Sequence, residues 1–201
     1  MMQLQRMASG LARRASPGLL VIALAWLAGC AQIPLGAPAP SFDNIEKARQ
    51  SGTAPVAVGT FRLAPGVAPE VDRWLDVRTN AVKSPVDGSF AQYLRQTLVT
   101  DLQAAGLYDV AAPAVLSGFL TDSRLSVPSD TGQASLGARF VLVLRGQTVY
   151  EKELKASASW PSSFVGMEAI PMGVNQYASL YRKLVGMLLD DPDYRAANPK
   201  P

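Results

Sequence analysis

Histidine is absent from the 201 residues, and cysteine occurs once. Those shortages exclude a Ser-His-Asp triad, a Cys-His dyad, a His-ligated metal and a Cys-rich zinc or iron–sulfur site. A lone cysteine cannot form a disulfide within the chain. Charge is also scarce, at 17% of residues against 48% hydrophobic, a balance that suits one globular domain with accessory segments. The formal charge of +3 does not signal nucleic acid. Three of the nineteen basic residues, Arg6, Arg13 and Arg14, precede residue 30 in a stretch without acids. The remaining sixteen face sixteen acids, so the mature portion is neutral and no nucleic-acid partner is expected.

What is present begins with an address. A basic segment ends at Arg13-Arg14, an apolar run follows over residues 19–28, and small residues close it. This is the anatomy of a signal peptide over residues 1–29, too short to span a bilayer comfortably as a permanent helix. The residues after Arg13-Arg14 lack the apolar continuation of a twin-arginine signal, so ordinary secretion is expected. Leu27-Ala28-Gly29-Cys30 resembles the lipobox of bacterial lipoproteins. That resemblance implies cleavage between Gly29 and Cys30 and acylation of the thiol, with palmitate-type chains as the only cofactor. Several acyl chains on one residue give stable anchoring, at about 0.8 kcal/mol per buried methylene. Ala31 follows the cysteine in place of the aspartate associated with inner-membrane retention in enteric bacteria. The resemblance therefore implies an outer-membrane, periplasm-facing location, with the membrane as one partner through the lipid. The alternative is an uncleaved anchor with an incidental cysteine.

Residues 31–41, AQIPLGAPAPS, carry three prolines and show no helical or strand period. They predict a linker reaching about 35–40 Å stretched or about 18 Å as a coil. The expected organisation is a tether with a short helix over residues 30–53, a domain over 54–191 and a polar tail over 192–201. Asp43 and Glu46 have capping-box spacing for the short helix, which should run to about Gln50. Residues 55–63 predict a strand, and 64–88 an irregular stretch containing Trp74 and Leu75. Phe90, Leu94, Leu98, Leu102 and Ala105 share one face of a helix over 89–105, with Ser89 or Asp87 able to cap it and Gly106 to end it. Strands are expected over 114–127, 135–145 and 148–160, the last two joined by a tight turn at Arg145-Gly146-Gln147. The alternation of 114–127 is imperfect. Leu136, Ala138, Phe140, Leu142 and Leu144 share one strand face, and Tyr150, Leu154, Ala156, Ala158 and Trp160 another, interrupted by Lys152. Val174, Tyr177, Tyr181, Leu184 and Leu188 predict a last helix over about 174–189, stopped by Pro192. The order β-α-β-β-β-α points to an α+β two-layer sandwich: an approximately four-stranded, mainly antiparallel sheet with two helices on one face.

Two segments carry a family resemblance: residues 90–120, from Phe90-Ala-Gln-Tyr-Leu-Arg through Leu107-Tyr108 to Val115-Leu-Ser-Gly-Phe-Leu, and residues 138–191, from Ala138-Arg-Phe-Val-Leu through the turn to Leu188-Leu-Asp-Asp. With the lipobox they resemble YajG-type outer-membrane lipoproteins, and the element order is similar to LptE-like and transport-auxiliary lipoproteins. The resemblance implies location and fold more than activity. LptE-like relatives help to assemble lipopolysaccharide export machinery, which makes an envelope protein or a lipid the implied partner.

Without histidine, catalysis would need carboxylate pairs, a Ser-Lys dyad or tyrosine chemistry. No Ser-x-x-Lys or phosphate-cradling glycine motif occurs. The carboxylate clusters are Asp72/Asp76, Glu151/Glu153 and Asp190/Asp191/Asp193, and each has a plainer structural use. A non-catalytic binding or assembly module is the expectation. The rival is a cell-wall glycan hydrolase, which would need two carboxylates converging roughly 5–9.5 Å apart. Residues 164–172 stand out as an apolar connection with Phe164, Val165, Met167, Ile170 and Met172. Closing the open edge of the core is their plainer use. Contact with lipid or protein is the alternative, and makes them the candidate binding loop.

Overall fold

A computed structural model describes residues 32–200; the signal peptide, Gly29 and Cys30 lie outside the described residues. The chain builds an α+β two-layer sandwich. Its main sheet has the order β2 (Ala57–Leu63), β5 (Ala114–Ser126), β6 (Thr131–Leu144) and β7 (Gln147–Pro161). β2 runs parallel to β5, and the other two pairings are antiparallel. Helices α2 (Phe90–Ala105) and α3 (Gly166–Asp190) cover one face, and their apolar stripes join the sheet's inner residues in a single core. A shorter helix, α1 (Phe42–Gln50), rides on that pair.

The helix over 90–105 forms as its periodicity predicts. Ser89 Oγ accepts from the Gln92 N–H, and Gly106 closes the end at φ 77°, a left-handed conformation that costs glycine nothing. The hairpin also forms: Arg145 (φ 51°) and Gly146 (φ 83°) fill a two-residue turn whose twist matches the flanking strands. The imperfect alternation of β5 has a cause. Leu120 pairs with Ala138 but Asp122 pairs with Gly137, so Thr121 is an extra residue. The bulge switches the parity of the buried face, from Ala114, Leu116 and Leu120 before it to Ser123, Leu125 and Val127 after it.

Four expectations are corrected by partners distant in sequence. The expected linker is docked over its described residues: β1 (Gln32–Pro34) pairs in parallel with β4 (Asn80–Lys83), and Leu35 is 2% exposed with its N–H donated to Lys83 O. The irregular stretch holds a 3-10 turn (Pro69–Asp72) and a hairpin of β3 (Leu75–Val77) with β4, completing a small second sheet. Its Leu75, Val77 and Val82 are buried. The tail is not a polar appendage. Helix α4 (Pro192–Ala197) follows directly, with Asp191 capping it, Tyr194 at 1% exposure and Asn198 Nδ2 donating to Ala54 O. The capping box is also absent: Ser41 is the N-cap of α1, and its own N–H donates to Asp101 Oδ1 across the core boundary.

Helix α3 starts eight residues before its predicted beginning. Pro171 lies inside it, on the exposed side, where its missing N–H removes only one early rung of the ladder. Its 25 residues extend about 37 Å. At Gly173 the helix comes so close to the sheet that a Cβ there would lie 2.5 Å from Val127 Cγ2.

Candidate binding surfaces

Residues 164–172 are a two-residue bend followed by the first turns of α3, not a loop, and the five apolar candidates divide. Ile170 is half-buried and packs on the core beside the fully buried Ala169. The other four side chains face solvent, with Phe164 at 83% and Met167 at 88% exposure, and Val165 and Met172 also outside. Core closure therefore describes Ile170 alone. The division follows from α3: once the helix begins at Gly166, the 3.6-residue period turns positions 169, 170, 173 and 174 inward and 167 and 172 outward.

Arg78 holds this tip in place, a role absent from the sequence reading. It sits in the β3–β4 turn at φ 56° and sends its guanidinium across to two other segments. Nε donates to Val127 O at 2.9 Å and Nη1 to Phe164 O at 3.0 Å. Nη2 donates to Ser163 O at 2.7 Å and Pro128 O at 3.3 Å. One planar fork thus gathers the end of β5 and the approach to α3. Only a positive φ in a chain read as irregular accompanies this role, and the residues it joins are 49 to 86 positions away.

A second surface lies on the outer sheet face. A depression of about 710 Å³ is floored by Ser126, Gln133, Ser135, Ser157 and Ser159, with Arg124 at its side. Small side chains on three twisted strands leave that volume open. Asp122 organises it, accepting from Ser135 Oγ at 2.7 Å and Arg124 Nε at 2.7 Å. Burial works against the charged form of Asp122, but these partners and Lys155 outweigh it and hold the carboxyl below its ordinary value. Farther along this face, Arg62 and Arg139 both lie over the Phe119 ring, and Arg139 pairs with Glu151.

Six of the seven clustered carboxylates are engaged, and Asp76 is exposed on β3. Asp72 accepts from Ser89 Oγ at 2.8 Å and the Ala91 N–H at 2.7 Å, bracing the start of α2. Glu153 accepts from Thr121 and pairs with Lys155. Lys152, which interrupts the apolar face of β7, lies 2.8 Å from Asp191 and 2.9 Å from Asp193. It thereby clamps the junction of α3 and α4. Asp191 feels burial, but Lys152 and two backbone N–H groups of α4 hold its carboxyl below the usual range. Deep in the core, Ser123, Tyr177 and Tyr181 form a hydroxyl chain with spacings of 2.6 and 2.7 Å, and burial raises both phenols. Among the described residues no cluster of His, Cys, Asp or Glu could hold a metal, and no helix is long and apolar enough to cross a membrane.

No family model matches the chain, and no curated protein matches it. Its fold is similar to that of protein XCC0632 from Xanthomonas campestris, of family DUF330. That likeness has a TM-score of 0.54 at 13% identity and covers 79% of this chain and 95% of the other. A hypothetical protein of Chlamydia trachomatis matches with a TM-score of 0.44 at 14% identity, covering 73% of this chain and 99% of its own. A minor lipoprotein of Acinetobacter baumannii matches at 0.37 and 13% identity, covering 74% and 96%. At these identities the first likeness establishes the shared α+β architecture.

Proposed function

We propose that the chain is a lipoprotein of the bacterial envelope, anchored through Cys30 in the outer membrane and facing the periplasm, where it works as a non-catalytic binding or assembly module. The observation that carries this reading is the lone cysteine in Leu27-Ala28-Gly29-Cys30, directly after a basic segment and an apolar run. The engagement of most of these carboxylates supports a non-catalytic role: Asp72 braces a helix start, Glu151 pairs across the sheet with Arg139, and Asp191 clamps a helix junction. The neutral mature chain supports a partner recognised by shape and apolar contact rather than by net charge. A transport or lipopolysaccharide-assembly complex is the finer form of the same reading, implied by the family resemblance. Replacing Cys30 with Ala and fractionating cells tests the anchor: the variant should lose its acyl mass, retain its signal peptide and accumulate unprocessed. Mature-size Cys30→Ala protein in the membrane fraction would refute the lipobox. In-cell crosslinking of the wild type should return a discrete envelope protein; cell-wall glycan turnover abolished by one carboxylate substitution would refute the non-catalytic role.

A further inference from the structure

Three observations converge on one end of the domain. The described chain begins at Gln32, already paired with Ala81 in β4. That register puts the start of β1 at the end of the small sheet where the β3–β4 turn lies. The turn residue Arg78 in turn holds the carbonyls of Ser163 and Phe164. The place where the chain joins the domain and the tip bearing Phe164 and Met167 therefore belong to the same end, within about 25 Å of each other by strand spacing and side-chain reach.

The second observation concerns slack. A free linker would let the domain stand off by about 18 Å and turn. With β1 docked, only Ala31 separates Cys30 from Gln32, and two residues span at most about 7 Å. An acyl group on Cys30 consequently draws this end of the domain, and no other, to the bilayer.

The third is the chemistry displayed there. Phe164 and Met167 are the most exposed large apolar side chains among the described residues, and Val165 and Met172 flank them. Arg78 at the rim is met by the acids Glu168 and Asp130, so the tip carries no positive surplus to demand an anionic lipid. Four side chains on a convex tip are also far fewer than the roughly 20–30 residues per side of a stable protein interface.

From this geometry we infer that the tip formed by Phe164 and Met167 rests in the interfacial layer of the outer membrane beside the acyl anchor, fixing the orientation of the domain. The inference rests on the lipoprotein reading of Cys30. It makes α3 a strut rising from the membrane and places the opposite end of the sheet, near Val110, away from the bilayer.

The test uses the acylated protein reconstituted into zwitterionic phosphatidylcholine vesicles containing lipids brominated near the headgroup. Phe164→Trp and Val110→Trp are compared, since both positions are exposed and both variants share the native Trp74 and Trp160 background. Added emission from position 164 should be quenched several-fold more than that from position 110. Equal quenching in a protein whose mass confirms the acyl group would overturn the placement of the tip and leave the anchor standing. A mass without acylation at residue 30 would overturn both. In cells, a photoreactive residue replacing Met167 should give lipid adducts; a single defined protein adduct would overturn the lipid assignment.

Discussion

Arg78→Ala is the sharpest perturbation of the arrangement that holds the tip. The substitution removes four charge-assisted hydrogen bonds to the carbonyls of Val127, Pro128, Ser163 and Phe164. The bond from Nε is partly buried and the other three are exposed. Taking about 1.5 kcal/mol for the first and about 0.5 for each of the rest, the loss comes to about 3 kcal/mol. Arg78 also occupies φ 56°, which glycine adopts without the roughly 1–2 kcal/mol that a Cβ costs there. Arg78→Gly should therefore destabilise by only about 1–2 kcal/mol, although it loses the same four bonds. Arg78→Lys should fall close to Ala, because an ammonium cannot reproduce a planar fork that reaches two separate segments. Urea unfolding of the three variants measures these differences, and hydrogen exchange at residues 163–166 reports whether the tip has loosened. If Arg78→Lys matches the wild type, or Arg78→Ala costs less than about 0.5 kcal/mol, the clamp contributes nothing and the reasoning fails.

Other consequences are accessible to simple assays. Gly173→Ala should destabilise by about 1–2 kcal/mol, because steric conflict with Val127 Cγ2 exceeds the gain in helix propensity; in a Val127→Ala background it should be neutral or stabilising, and equal effects in both backgrounds in denaturant titrations would exclude the contact. Asp191, held below its ordinary value despite burial, contributes stability that is present above the unfolded carboxylate value of about 3.9 and is lost as pH falls through its lower folded value. Asp191→Asn keeps a capping side chain, so its deficit against the wild type should shrink as acid titrations pass below about pH 4. Tyr194→Ala should cost about 3–5 kcal/mol by emptying a site packed edge-on against Tyr150, whereas a true tail would lose nothing in a melt.

Local signals were legible where a segment's own neighbours decide its state. The stripe from Phe90 to Ala105 and its Ser89 and Gly106 caps read correctly, because cap chemistry and a 3.6-residue period act over a few positions. The β6–β7 hairpin read correctly for the same reason, with its turn made by Arg145 and Gly146. Lys152 looked like an interruption because its partners Asp191 and Asp193 arrive from a different element. Pro171 lies within the segment expected to be a connection, yet at an exposed early position of α3 it removes only one bond and the helix runs through it. The candidate segment 164–172 was found by its composition alone. Whether each side chain was core or surface depended on the phase of a helix whose start the sequence placed too late.

The absence of histidine chemistry and disulfides, the charge neutrality beyond residue 29, the lipobox-like placement of the lone cysteine and the α+β order of elements are all readable from the amino acids alone. Composition and short-range periodicity suffice for these because none depends on where another segment lies. Folding, in contrast, docks residues 32–34 as a strand, draws Tyr194 into the core, and projects Phe164 and Met167 beside Arg78 at the end where the chain joins the domain. Those outcomes are set by strand partners and buried contacts from 44 to 144 positions away. A proline-rich stretch has no period of its own and takes its conformation from the edge that receives it.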